Sequence, residues 1–202
     1  MVKFSDAELE RITRTIAGAE LKSAGEIRVV VARSCTRGRE LFALGLAVVA
    51  AAAGALVWWK WEWGHPTAHG MILAGLVPAV ALYVLTDRLL RRPAARAHCV
   101  ERRAMMEFVR QGVAATRDRT GILILLSVRD RRVHILADSG INARVPPSMW
   151  SDQVATIVAG LRSGRACEHL CQAIAAIGAE LVRHFPRRSD DANELPDRPV
   201  IT

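Results

Sequence analysis

Apolar positions along this chain recur with two different periods, and between them lie two stretches that have no period at all. Leu9, Ile12, Ile16 and Ala19 return every three or four residues among charged neighbours, which predicts an amphipathic helix over 6–22. Ser5-Asp6-Ala7-Glu8 forms a capping box at its start, with Ser5 as N-cap. Gly25 opens the β-branched run EIRVVVA, which predicts a strand over 26–32. Val100, Ala104, Met105, Phe108, Val109 and Val113 fall near one stripe, so 94–117 reads as a helix. GILILLSV, 121–128, is almost unbroken apolar, as a strand covered on both faces should be. Arg129-Asp130-Arg131-Arg132 is a polar turn, and VHILAD, 133–138, completes a hairpin. Pro146-Pro147 closes a loop before a helix at 148–162, which Gly164 stops. A last helix over 166–185 turns Leu170, Ile174, Ile177 and Leu181 inward. Residues 186–202 are polar and proline-containing and read as an extended tail.

The two aperiodic stretches are LFALGLAVVAAAAGALVWW, 41–59, and GMILAGLVPAVALYVLT, 70–86, both without a charge. As helices they would be about 28 and 25 Å long, against a hydrocarbon core of roughly 30 Å. A helix apolar on every face belongs in lipid or in the centre of a large core. The segment between them holds Trp58, Trp59, Trp61 and Trp63, four of the five tryptophans, and indole settles at the headgroup level. Ala43, Ala47, Ala51 and Ala55, with Gly75 and Ala79, would let two helices approach closely, and Pro78 would kink the second. Residues 41–87 are therefore expected to form a transmembrane helical hairpin with the lipid bilayer as partner.

Charge sets the expected orientation. The net charge is +8, and residues 87–120 carry 9 Arg against 4 Asp and Glu. Arg28, Arg33, Arg37 and Arg39 precede the first run, and Arg88, Arg91, Arg92, Arg96, Arg102 and Arg103 follow the second. Only Lys60 lies between them. The positive-inside rule puts both termini on the cytoplasmic side of the membrane, with Arg88, Arg91 and Arg92 at the interface. MVKFSDAELERI lacks the apolar core of a signal peptide. Cys35, Cys99, Cys167 and Cys171 would stay reduced there.

Without the hairpin the order is helix, strand, helix, strand, strand, helix, helix, a small α/β domain made of 1–40 and 88–202. GEIRVVV (25–31), GILILLSVRDRRVHILADSGI (121–141) and the closing NELPDRPVI (193–201) resemble the TPM-domain family, specifically a bacterial branch of uncharacterised membrane proteins that ends in NELPD. The resemblance covers about 1–40 and 94–201. It implies a three-layer α/β/α sandwich, here interrupted by the transmembrane hairpin, and it brings in an acid-phosphatase-like activity found among family members.

Candidate chemistry is sparse. Glu26, Asp130 and Asp138 sit at strand ends, the place the resemblance suggests for a divalent metal or phosphatase site, yet Asp130 lies between arginines and Asp138-Ser139-Gly140 is an ordinary turn signal. A hard cation needs several converging oxygens. Cys167 and Cys171 share a helix face but lack a second ligand pair. No nucleophile elbow or phosphate loop is present in the sequence. The arginines at 88–103 follow a candidate span and lack interleaved aromatics, so they are expected to set topology and touch anionic lipid rather than nucleic acid. Asn193, Glu194, Leu195, Pro196 and Asp197 are either a structural clasp or a docking strip. The expected function is a non-catalytic binding or scaffolding module for an unidentified protein partner, without a cofactor. The alternative is a metal-assisted phosphomonoesterase.

Overall fold

The computed structural model describes residues 4–35, 93–188 and 193–202, with single positions 45, 48, 49, 51, 54, 80 and 84. The chain divides into one compact unit of Met1–Cys35 with Ala97–Thr202 and a second of Thr36–Arg96. The tryptophan-rich segment 58–63 and Arg88, Arg91 and Arg92 lie outside the described residues, as do the runs 41–59 and 70–86 apart from those single, helical positions. Among the described residues no helix is long and apolar enough to cross a membrane.

The elements are α1 (Asp6–Glu20), β1 (Glu26–Ala32), α2 (Pro93–Arg110), which belongs to the first unit from Ala97 on, a 3-10 turn (Val113–Ala115), β2 (Gly121–Ser127), β3 (Arg132–Ala137), the short α3 (Ser139–Asn142), α4 (Pro147–Ser163), α5 (Ala166–His184) and β4 (Val200–Ile201). Ser5 caps α1 through a complete capping box with Glu8. The helix expected over 94–117 ends earlier. Gly112 takes φ +76°, a left-handed conformation that L side chains resist, and the apolar stripe continues beyond it only as the 3-10 turn.

The described strands form one sheet in the order β3-β2-β1-β4. β1 runs parallel to β2, with Glu26 opposite Gly121 and Ala32 opposite Ser127. β2 pairs antiparallel with β3. Val200 and Ile201 add β4 alongside Val30 and Val31, so the segment expected to be an extended tail returns to the sheet. Polar composition hid this because only two residues pair and the tail is otherwise held by side-chain contacts.

Alternation of side chains along each strand divides the core in two. Ile27, Val29, Val31, Ile122, Ile124 and Leu126 pack with α1, α4 and α5. Val30, Ala32, Leu123 and Leu125 pack with Val100 and Ala104 of α2 and with Leu195 of the tail. The result is an α/β domain with helices on both faces of the sheet. Every residue of β1 and β2 is buried, which is why their sequences show no polar alternation.

Candidate functional site

The polar groups that the sheet buries collect at the junction of α1, β1 and the tail. Glu20 falls on the stripe Leu9, Ile12, Ile16, so α1 carries its carboxyl inward, leaving it 8% exposed. Oε1 accepts the Ile27 amide at 2.7 Å. Oε2 is buried without a hydrogen-bond partner. Burial first, and then the carboxylates of Glu26 and Asp197, push the Glu20 pKa up to about 8, against the opposing pull of the Ile27 amide. Glu20 is thus a neutral acid at pH 7.

Glu26 and Arg28 point to the α2 and tail side of the sheet. Glu26 is 5% exposed, and its two oxygens accept the backbone amides of Glu194 and Leu195 at 3.2 and 3.3 Å. Arg28 donates to the carbonyl of Pro196, to that of Arg198 at 3.0 Å, and to Gln111 Oε1 at 3.3 and 3.1 Å. Burial pulls its pKa down and Asp197 works against that pull. The chain of contacts continues from Gln111 to Glu107 at 3.0 Å and from Glu107 to Arg103 at 3.1 Å. Arg103 then reaches Thr202 Oγ1 at 3.0 Å. Glu194 accepts the Arg117 amide at 3.1 Å. Asn193 Nδ2 donates to Asp197 Oδ1 at 2.8 Å, and Leu195 is buried in the core. The 193–197 segment is therefore engaged with its own domain.

Asp130 lies at the opposite end of the sheet. Oδ2 accepts Ser127 Oγ at 2.6 Å, the Cys35 amide at 2.9 Å and Ser34 Oγ at 3.2 Å. It ties the β2–β3 turn to the end of β1. Asp130→Ala would leave a half-buried amide and two hydroxyls short of an acceptor, a loss of about 1–3 kcal/mol. A urea unfolding midpoint checks this, with no change placing the residue among inert surface charges.

Asp138 does a third job. The tripeptide read as a turn opens α3, with Asp138 as N-cap. Oδ1 accepts the Ser139 amide at 2.6 Å and Oδ2 lies 3.6 Å from Arg119 Nη1. Glu26 and Asp138 share one end of the sheet, but β2 lies between their strands, and neighbouring strands stand about 4.8 Å apart. These three carboxylates do not converge. Among the described residues no group of three or more His, Cys, Asp or Glu side chains could hold a metal ion, so the donor set does not fit the divalent cation that the resemblance implies. Cys167 and Cys171 both belong to the core. Burial and the neighbouring Cys171 push the Cys167 thiol up to about 11.

Sequence reasoning missed Glu20, Arg28, Glu107 and Gln111. Signals for two of them were present: Glu20 interrupts an apolar stripe and Arg28 interrupts an apolar strand. A charge in such a position is buried only with a partner.

Comparison with known proteins gives a coherent result. A family described as the TPM domain matches residues 79–180. The solution NMR structure of the BA42 protein from the psychrophilic bacterium Bizionia argentinensis is similar, with a TM-score of 0.64 and 20% sequence identity, over 100% of this chain and 97% of that one. At that identity the likeness shows the fold. Comparison with curated proteins yields no match.

Proposed function

We propose that this chain, which belongs to the TPM domain family, is a membrane-anchored binding or scaffolding module without catalytic activity of its own. Its folded domain would lie at the cytoplasmic face of a bacterial inner membrane, with both termini on that side. The observation that carries the non-catalytic reading is the use made of Glu26, Asp130 and Asp138. Glu26 holds tail amides, Asp130 holds a turn and Asp138 caps a helix. Side chains committed to the chain's own backbone serve the fold rather than a substrate.

The anchor rests on the sequence: two uncharged runs at 41–59 and 70–86, tryptophans between them and Arg88, Arg91 and Arg92 after them. The bilayer is then one partner and a protein at the membrane surface the other. Nucleic acid and a cofactor are not part of this reading.

One observation favours the alternative of a metal-assisted phosphomonoesterase. Glu20 interacts with both Glu26 and Asp197, so acidic groups do approach one another, although amides already occupy three of their oxygens.

Two measurements on the full chain test the proposal. It should remain in the membrane pellet after an alkaline carbonate wash, and purified in detergent it should not hydrolyse p-nitrophenyl phosphate with Mg2+ or Ca2+ above the protein-free rate. Release into the wash would remove the anchor. Turnover that disappears in Glu26→Gln or Asp130→Asn would replace the binding module with an enzyme.

A further inference from the structure

We propose that the end of the sheet where the chain leaves for Thr36–Arg96 is a docking surface for anionic phospholipid headgroups, carried by Arg33, Arg129 and Arg131. The inference rests on the membrane reading above and extends it to the folded domain, which would lie against the bilayer by this end.

β1 and β2 run parallel and finish side by side, with Ala32 opposite Ser127. Just past them the Val128 amide donates to the Ala32 carbonyl at 3.0 Å, and the Arg129 amide to the Arg33 carbonyl at 3.1 Å. The backbone therefore brings Arg33 and the β2–β3 turn to one place, and Arg33, Arg129 and Arg131 are exposed there. The acid of this turn is committed to the fold, since Asp130 accepts Ser127 Oγ, Ser34 Oγ and the Cys35 amide. Among the described residues none of the three arginines is in an ion pair. At the opposite end of the sheet the arginines do find acids: Arg119 lies 3.6 Å from Asp138, and Arg188 lies 3.0 Å from Asp118.

Arg131 adds an observation of the backbone. Its φ is +49°, in the left-handed region that glycine or asparagine adopts at lower cost. Arg119, the other described non-glycine residue with positive φ, uses its side chain inside the fold, on the Ala114 carbonyl at 2.7 Å and beside Asp138. The Arg131 guanidinium has no such contact among the described residues. An exposed cation kept at a costly backbone position serves something outside the domain. Location says what that is. Cys35 is the last residue of its unit before Thr36, and its amide is tied to the turn through Asp130 at 2.9 Å. The first uncharged run begins six residues later, at Leu41. At about 3.6 Å per residue, Cys35 is held within about 22 Å of the point where that run would enter lipid. An arginine near an anionic leaflet adds about fivefold in affinity.

The test is arginine modification by phenylglyoxal, read by mass spectrometry, on the full chain in nanodiscs of phosphatidylcholine with or without phosphatidylglycerol. Arg33, Arg129 and Arg131 should react about fivefold more slowly in the anionic discs. Arg119, before β2, and Arg183, at the end of α5, lie at the opposite end of the sheet and should react alike in both. High salt should abolish the difference. Arg131→Gly suits the left-handed backbone, so it should leave the urea midpoint unchanged or raise it, and it should weaken the protection of Arg33 and Arg129. Equal rates in the two discs, slowing of all five arginines alike, or a lower midpoint in Arg131→Gly would overturn the proposal and leave the anchor in place. Slowing by a single-stranded oligonucleotide in neutral discs, but not by anionic lipid, would give the surface to nucleic acid instead. A chain that co-elutes with neither disc would remove the anchor, and the docking surface with it.

Discussion

The free energy of unfolding should fall by on the order of 3–5 kcal/mol as pH rises from about 4.5 to 8, and this fall should be missing in Glu20→Gln. The native pKa of Glu20 is raised to about 8 from an ordinary 4.5. Below 4.5 both folded and unfolded chains hold the proton, and the stabilising contribution is fully present. Between 4.5 and 8 the folded chain holds it while the unfolded chain does not, so each pH unit costs about 1.4 kcal/mol. Above 8 neither state holds it, and the contribution is gone. Glutamine keeps the shape, is neutral in both states and can still accept the Ile27 amide. The variant should match the wild type near pH 4 and exceed it near pH 8. Urea titrations at four or five pH values, subtracted variant from wild type, isolate this group from the other carboxylates. Parallel curves would mean that Glu20 is ionised in the fold.

Arg28→Met should cost about 2–4 kcal/mol, with the loss concentrated in the tail. The guanidinium fork joins β1, the end of α2 and the tail through the Pro196 and Arg198 carbonyls and Gln111. Methionine fills a similar volume but leaves those oxygens without donors and Asp197 without its opposing charge. Amide exchange at Thr202, whose N–H bonds to the Val31 carbonyl at 2.9 Å, should speed up before global unfolding does. Arg28→Lys should recover only part of the loss, because an ammonium cannot reproduce the planar fork. Equal exchange in wild type and Arg28→Met would show that β4 and Leu195 hold the tail unaided.

Both predictions concern residues that local patterning treats as anomalies. Leu9, Ile12 and Ile16 announce α1, and EIRVVVA and GILILLSV announce β1 and β2 with bounds that match the strands to within a residue. These elements are legible because period and chain length encode which faces are buried. The same patterns mislead at α2, where the apolar stripe passes through Gly112 although the backbone there turns left-handed. At Asp138-Ser139-Gly140 they are ambiguous, since an aspartate starts turns and caps helices alike. Glu26 was singled out as a metal or phosphatase candidate. Its role depends on Glu194 and Leu195, 168 and 169 residues away, and no local pattern carries that distance.

The sequence by itself determined the α/β class, the order of the long helices and the three main strands, the buried faces of α1, α5 and the two central strands, and a resemblance to the TPM domain family, whose match over 79–180 takes in the β2–β3 hairpin. Each of these is written in residues close together along the chain, where hydrophobic period and turn chemistry act. Only the tertiary structure decided what the charges do. Glu20, Glu26, Arg28 and Asp197 come from α1, β1 and the tail, and whether a carboxyl is a ligand, a clasp or a protonated acid depends on what its neighbours in space do to its desolvation and its field. Long-range pairing of β1 with β4 supplies those neighbours, and it is set by packing in the fold rather than by any stretch of sequence.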